Sequence, residues 1–90
     1  MITIPVKQNA TFTITFKIAT NSKYVWKVKE LSIGVSFIRS EFETVPNISN
    51  LSEHGFTFSA DSVGENKIIF ELIKDEEVIE EKSYLVNIKE

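Results

Sequence analysis

The sequence predicts an all-β, immunoglobulin-like antiparallel β-sandwich of about seven strands. Three observations predict it. The run Thr11-Phe12-Thr13-Ile14-Thr15-Phe16-Lys17-Ile18 alternates polar and apolar side chains without a break. Successive side chains on a strand point to opposite faces, so Phe12, Ile14, Phe16 and Ile18 turn to a core and the others to water. Further runs rich in Val, Ile, Phe and Thr follow at the spacing of about 8–12 residues that marks a sandwich. The 3 glycines and 2 prolines fall where a β fold needs punctuation, and no helical periodicity competes.

The elements are placed in order. A first strand spans Ile2–Lys7, and Pro5 suits an edge because it cannot donate to a ladder. A second covers Thr11–Ala19 and a third Tyr24–Lys29, with Trp26 where a sandwich places a core aromatic. A fourth runs from about Ser32 to Val45 with a bulge near Arg39-Ser40; Val35, Phe37 and Phe42 are expected to face inward. A fifth is Phe56–Ala60, a sixth Lys67–Lys74 and a seventh Lys82–Lys89. Between the fifth and sixth, Asp61, Ser62 and Gly64 read as a turn crossing from one sheet to the other. Leu72–Glu81 reads as a hairpin rather than a helical turn, because β-branched residues and a strong strand precede it.

Ninety residues make one domain, 1–90, with one modest core. There is no cysteine, so neither a disulfide framework nor a thiolate metal site supports that core. The N-terminus lacks a basic segment followed by an apolar one, and no stretch approaches the roughly 20 apolar residues of a membrane span. A cytoplasmic, membrane-free protein is the default expectation, and a mature secreted form is the alternative. The sequons at Asn9, Asn47 and Asn50 are then coincidental. The net charge of −3 argues against a nucleic-acid backbone as partner, which would need a basic patch. The mix of Lys23, Tyr24, Trp26, Lys27 and Lys29 reads as core aromatics with surface lysines rather than a base-stacking platform.

No chemistry of catalysis is visible. His54 is the only histidine, without further ligands at metal spacing and without a nucleophile and acid arranged around it. Next to Gly55 it reads as a loop residue. Asp75, Glu76, Glu77, Glu80 and Glu81 form a solvated acidic stretch, and solvated carboxylates make poor acid catalysts. The expectation is a protein that is not an enzyme and needs no metal and no cofactor.

Loops grouped by a rigid scaffold carry function, and in this topology the loops after strands two, four and six emerge at one end. They are Thr20–Lys23, Pro46–Gly55 and Asp75–Val78. Within the long middle one, Ile48 and Leu51 are apolar: a lid on the core, or an anchor for a partner.

These loops carry a family resemblance. The chain resembles the chagasin-like inhibitors of papain-family cysteine proteases. Their first loop has the pattern Asn-Pro-Thr-Thr-Gly-Tyr-x-Trp, and Ala19-Thr20-Asn21-Ser22-Lys23-Tyr24-Val25-Trp26 occupies the matching place. Tyr24 and Trp26 match, Ser22 supplies a hydroxyl, and Ala19, Thr20 and Lys23 depart from it. Gly55 stands where the family has a glycine-rich middle loop, and Gly64 where it has a glycine turn. Lys74-Asp75-Glu76 replaces an Arg-Pro-aromatic third loop, and Tyr84–Ile88 resembles the closing strand.

The resemblance implies a protein-binding module that inserts three loops into a protease cleft and blocks it sterically and reversibly. Asn21, Ser22, Lys23 and Tyr24 would lie nearest the protease active site. His54-Gly55 and Asp75-Glu76 would brace the flanks, and Ile48, Leu51 and Lys74 complete the partner-binding set. The expected partner is a protein, a papain-like protease under this reading, bound by a monomer or weak oligomer. The alternative is a non-inhibitory interaction or structural module, such as an assembly component or a virus or phage accessory protein, binding through loop tips or an edge strand. A decoy for a basic protein, using the acidic stretch, is a third reading.

Overall fold

The computed structural model describes residues 1–20, 22–44 and 50–90. Seven strands occur in order: β1 (Ile2–Lys7), β2 (Thr11–Ala19), β3 (Tyr24–Leu31), β4 (Val35–Thr44), β5 (Leu51–Ala60), β6 (Gly64–Lys74) and β7 (Glu77–Lys89). They form two sheets, β1-β7-β6-β3 and β2-β5-β4. Every pairing is antiparallel except β1 with β7, which is parallel from Ile2↔Tyr84 to Lys7↔Lys89. Pro5 lies on that edge strand, where its missing N–H breaks no interior ladder. Among the described residues there is no helix, hence none long and apolar enough to cross a membrane.

The alternation in β2 determines how the sheets meet. Ile14 and Phe16 are buried, Phe12 and Ile18 half-buried, and the intervening Thr and Lys residues exposed. Phe16 stacks on Trp26 of β3 at 4.4 Å and meets the edges of Phe70 at 4.9 Å and Tyr84 at 6.3 Å. Phe70 in turn touches Phe56, Phe58 and Tyr84. Edge-to-face pairs of this kind add to the area each ring buries. Ile68, Val86, Ile88, Val35 and Ala60 fill the remaining interior. Every buried side-chain nitrogen and oxygen among the described residues has a hydrogen-bond partner.

Several boundaries differ from the sequence expectation. β5 starts at Leu51 rather than Phe56, because all nine residues of β2 pair with it, from Thr11↔Ser59 to Ala19↔Leu51. β6 starts at Gly64 and β7 at Glu77, since these strands pair along the whole hairpin. β4 starts at Val35, after a turn in which the Val35 N–H donates to the Ser32 carbonyl at 3.1 Å. Its register shifts between Phe37 and Arg39, so the bulge lies at Ile38. That extra residue moves Arg39 and Glu41 to the outer face and places Phe42 opposite His54, on the face carrying Phe56 and Phe58. Phe37 rests its edge on Phe58 at 5.7 Å. Both β4 phenylalanines nevertheless stay exposed, at 48% and 61%, because β4 is an edge strand.

At the far end, Gly64 (φ 131°) begins β6 after the crossover between sheets. Asp61 anchors that crossover. Its backbone N–H donates to the Gly34 carbonyl at 2.9 Å, and its carboxylate accepts from the Ser36 hydroxyl and from the Ser59 hydroxyl at 2.8 Å. These donors, Ser36 first, hold the Asp61 carboxyl below its usual value of 3.8. A lowered folded-state pKa stabilises the fold above the unfolded value, and that contribution is lost as pH falls through the folded one. Asp61→Asn should therefore lower the melting temperature by a few degrees at neutral pH. Thermal melts should show the gap narrowing as pH falls below 3.8 and the wild-type carboxyl takes up its proton.

Candidate functional site

Strand register brings three connections to one end of the sandwich. Ala19, the last residue of β2, lies opposite Leu51, the first of β5. Thr44, the last of β4, lies opposite Ser52. Lys74, the last of β6, lies opposite both Tyr24, the first of β3, and Glu77, the first of β7. The connections 20–23, 45–50 and 75–76 therefore leave the same end, as the loop argument from sequence expected.

The first connection is held at both sides. The Thr20 N–H donates to the Asn50 carbonyl at 2.9 Å, and the Thr20 hydroxyl pairs with the Ser52 hydroxyl at 2.9 Å. Ser52 is fully buried, so this pair satisfies a hydroxyl that water cannot reach. The Ser22 N–H donates to the Ala19 carbonyl at 3.1 Å and closes the turn. Ser22 is half-buried and Lys23 exposed. Asn21 lies outside the described residues. Tyr24, at the start of β3, is 36% exposed, and the Lys74 ammonium sits 4.9 Å from its ring centre. A cation over an aromatic face is attracted by the ring quadrupole, so Lys74 links the first connection to the third. Trp26, two residues on, is buried against Phe16, and Lys82 of β7 caps both rings at 5.9 and 5.7 Å.

The middle connection differs from the expectation. Ile48 lies outside the described residues. Leu51 is half-buried and already in β5. His54 and Gly55 are not loop residues: they sit inside β5, His54 between Phe16 and Phe42 and Gly55 between Thr15 and Glu41. The His54 ring packs 4.3 Å from Phe56 and 5.3 Å from Phe42, and partial burial lowers its pKa below 6.5. At about 3.3 Å per residue it lies about 10 Å along the strand from Leu51. Gly55 faces the other way, at the floor of a shallow notch lined by Thr13, Thr15, Glu41, Glu43 and Glu53.

The third connection is the two-residue turn Asp75-Glu76, with φ of 50° and 69°. Two successive positive φ values identify a type I′ turn, whose twist matches that of the strands it joins. Val78 and Glu77, expected in the loop, are in β7. Next to the turn, Val25, Ile73 and Val78 form a cross-strand apolar row on the outer face; Val25 and Val78 are exposed, as is neighbouring Ile79. The acids that follow are solvated, as expected, and Glu81 forms an exposed ion pair with Lys29 at 2.8 Å. Among the described residues no group of His, Asp and Glu is arranged to hold a metal.

Sequence reasoning thus found Ser22, Lys23, Tyr24, Lys74, Asp75 and Glu76 at the loop end. It missed the Thr20–Ser52 hydroxyl pair and the Val25–Ile73–Val78 row. The missed signals were a period of two through Ser52-His54-Phe56-Phe58 and the register that a turn at Asp75-Glu76 imposes.

No protein-family model and no curated protein matches the sequence. Solved structures do. One is a cysteine protease inhibitor, EhICP2, from Entamoeba histolytica: the TM-score is 0.81 at 16% identity, over 98% of this chain and 86% of that one. The chain has the fold of that inhibitor. A second is the solution structure of amebosin, with a TM-score of 0.70 at 20% identity, over 97% of this chain and 88% of that one. The immunoglobulin-like sandwich and the resemblance to chagasin-like inhibitors therefore hold at the level of fold, and the identities carry them no further.

Proposed function

We propose that this protein is a cysteine protease inhibitor that presents the connections 20–23, 45–50 and 75–76 to the cleft of a papain-like enzyme. One observation carries the reading: three connections share one end and are tied to each other, through Thr20 to Asn50 and Ser52 and through Lys74 to Tyr24. Such ties reduce the conformational freedom that the described ends of these connections lose on binding, which favours a steric inhibitor. The fold shared with EhICP2, described as an inhibitor, supports this reading and that of a protein without catalysis of its own.

In this reading Asn21, Ser22 and Lys23 approach the reactive centre. Leu51 and the Asn50 backbone hold the middle connection, with His54 and Gly55 farther along β5. Asp75 and Glu76 meet the cleft rim, where their charge selects an enzyme with basic residues at that position. Inhibition is reversible, needs no cofactor and involves no bond to the protease.

The test is a titration of papain and a cathepsin-like protease, following hydrolysis of a fluorogenic peptide. Tight inhibition is expected, weakened at least about tenfold by Ser22→Arg, whose long charged side chain would enter the wedge. Undiminished hydrolysis with micromolar folded protein would remove the proposal for these enzymes.

A further inference from the structure

β4 is an edge of its sheet, and among the described residues no strand pairs with its outer side. An unpaired edge is a template for another strand. Apolar residues stay exposed along it: Phe37, Ile38 at the bulge, and Phe42. On the opposite edge, β2, the apolar residues Phe12, Ile14, Phe16 and Ile18 are buried or half-buried.

The charges on β4 select an occupant. In an antiparallel pair, residues directly opposite share a face of the sheet. A strand pairing with its own copy must therefore place the two-fold axis on a residue, not between two. An axis on Arg39 sets Arg39 against itself, and an axis on Glu41 sets Glu41 against itself. An axis on Ser40 sets each Arg39 opposite Glu41 of the second copy. Both side chains project from the outer face and are exposed, at 59% and 56%. Within one chain Arg39 uses its Nε–H on Glu41 at 2.9 Å. A guanidinium carries five N–H donors, so further N–H groups can reach a second carboxylate. The same axis brings Ile38 beside Phe42 of the second copy.

We propose that β4 pairs with β4 of a second copy about an axis through Ser40, joining two three-stranded sheets into one of six strands. The bulge at Ile38 ends the ladder, so only Ile38–Phe42 of each copy takes part. Such a short interface makes a weak, concentration-dependent dimer. The proposal does not depend on protease inhibition, and its test contains no protease.

Sedimentation velocity from micromolar to millimolar protein reads it. The mass should rise from 10.3 kDa toward twice that value. Arg39→Glu and Glu41→Arg each replace two attractive pairs by two repulsive ones, and each should weaken association about tenfold. The double variant restores opposite charges in reversed order and should recover the wild-type association. Ser40→Asp, which sets two acids on the axis, should weaken it in the same way. A protein that stays monomeric throughout overturns the proposal. So does a dimer indifferent to the single exchanges, or one that the double exchange fails to restore.

Discussion

Phe70→Ala should cost about 3–5 kcal/mol of stability, the range for emptying a buried aromatic site. Phe70 is fully buried, and its ring meets Phe16 at 4.9 Å, Phe56 at 5.1 Å, Tyr84 at 5.6 Å and Phe58 at 6.1 Å. Those four rings come from β2, β5 and β7, so the substitution opens a void where the two sheets meet. The surrounding rings are themselves packed and cannot collapse far into it. A domain of this size holds roughly 5–13 kcal/mol in total, so the loss takes a large share. Each kcal/mol corresponds to about 4–8 °C of melting temperature in so small a chain. Urea unfolding followed by circular dichroism measures it. Phe70→Leu, which keeps most of the volume, should cost less than about 2 kcal/mol. A Phe70→Ala loss below about 1 kcal/mol would contradict the packing described.

Gly34→Ala should cost about 1–3 kcal/mol by a different route, overpacking rather than a void. A methyl group there would overlap Asn66 Oδ1 and lie 2.9 Å from its Cγ. Asn66 is buried, and its amide donates to the Gly64 carbonyl at 3.3 Å. Relief requires the amide to swing away, which strands a buried polar group. The Gly34 carbonyl also accepts from the Asp61 and Ser62 N–H groups, so movement of Gly34 loosens the crossover between sheets. The combination Gly34→Ala with Asn66→Ala should cost less than the sum of the single changes, because the second change makes room for the first. Additive costs in a thermal double-mutant cycle would show that the two residues do not collide. Because this turn lies at the far end from 20–23, the proposed inhibition should be unchanged in the folded Gly34→Ala protein.

The limits of the sequence reading follow from two kinds of residue. Where apolar and polar residues alternate, as in Thr11–Ala19, the strand was placed to the residue. Where inward positions hold Ser52 and His54, the pattern looks polar and reads as loop. Burial there comes from pairing with β2 and, for Ser52, from the Thr20 hydroxyl, neither visible locally. Charged residues hid the start of β7 likewise: Glu77–Lys82 is exposed, yet every residue of it except Ile79 pairs with β6. At the loop end, the positions of Ser22, Tyr24 and Asp75 followed from topology. The coupling among them did not, since it joins residues about 30–50 positions apart in the chain.

The sequence by itself determined the class of fold, the direction in which each alternating strand turns its apolar side, and the grouping of three connections at one end. Those depend on the period-two geometry of extended chain and on turn chemistry, both local. The tertiary structure decided where the strands stop, the parallel pairing of β1, the position of the β4 bulge at Ile38 rather than Arg39-Ser40, and the placing of His54 and Gly55 inside β5. Each of these depends on which strand lies alongside, and a ladder's length and register are properties of two strands together.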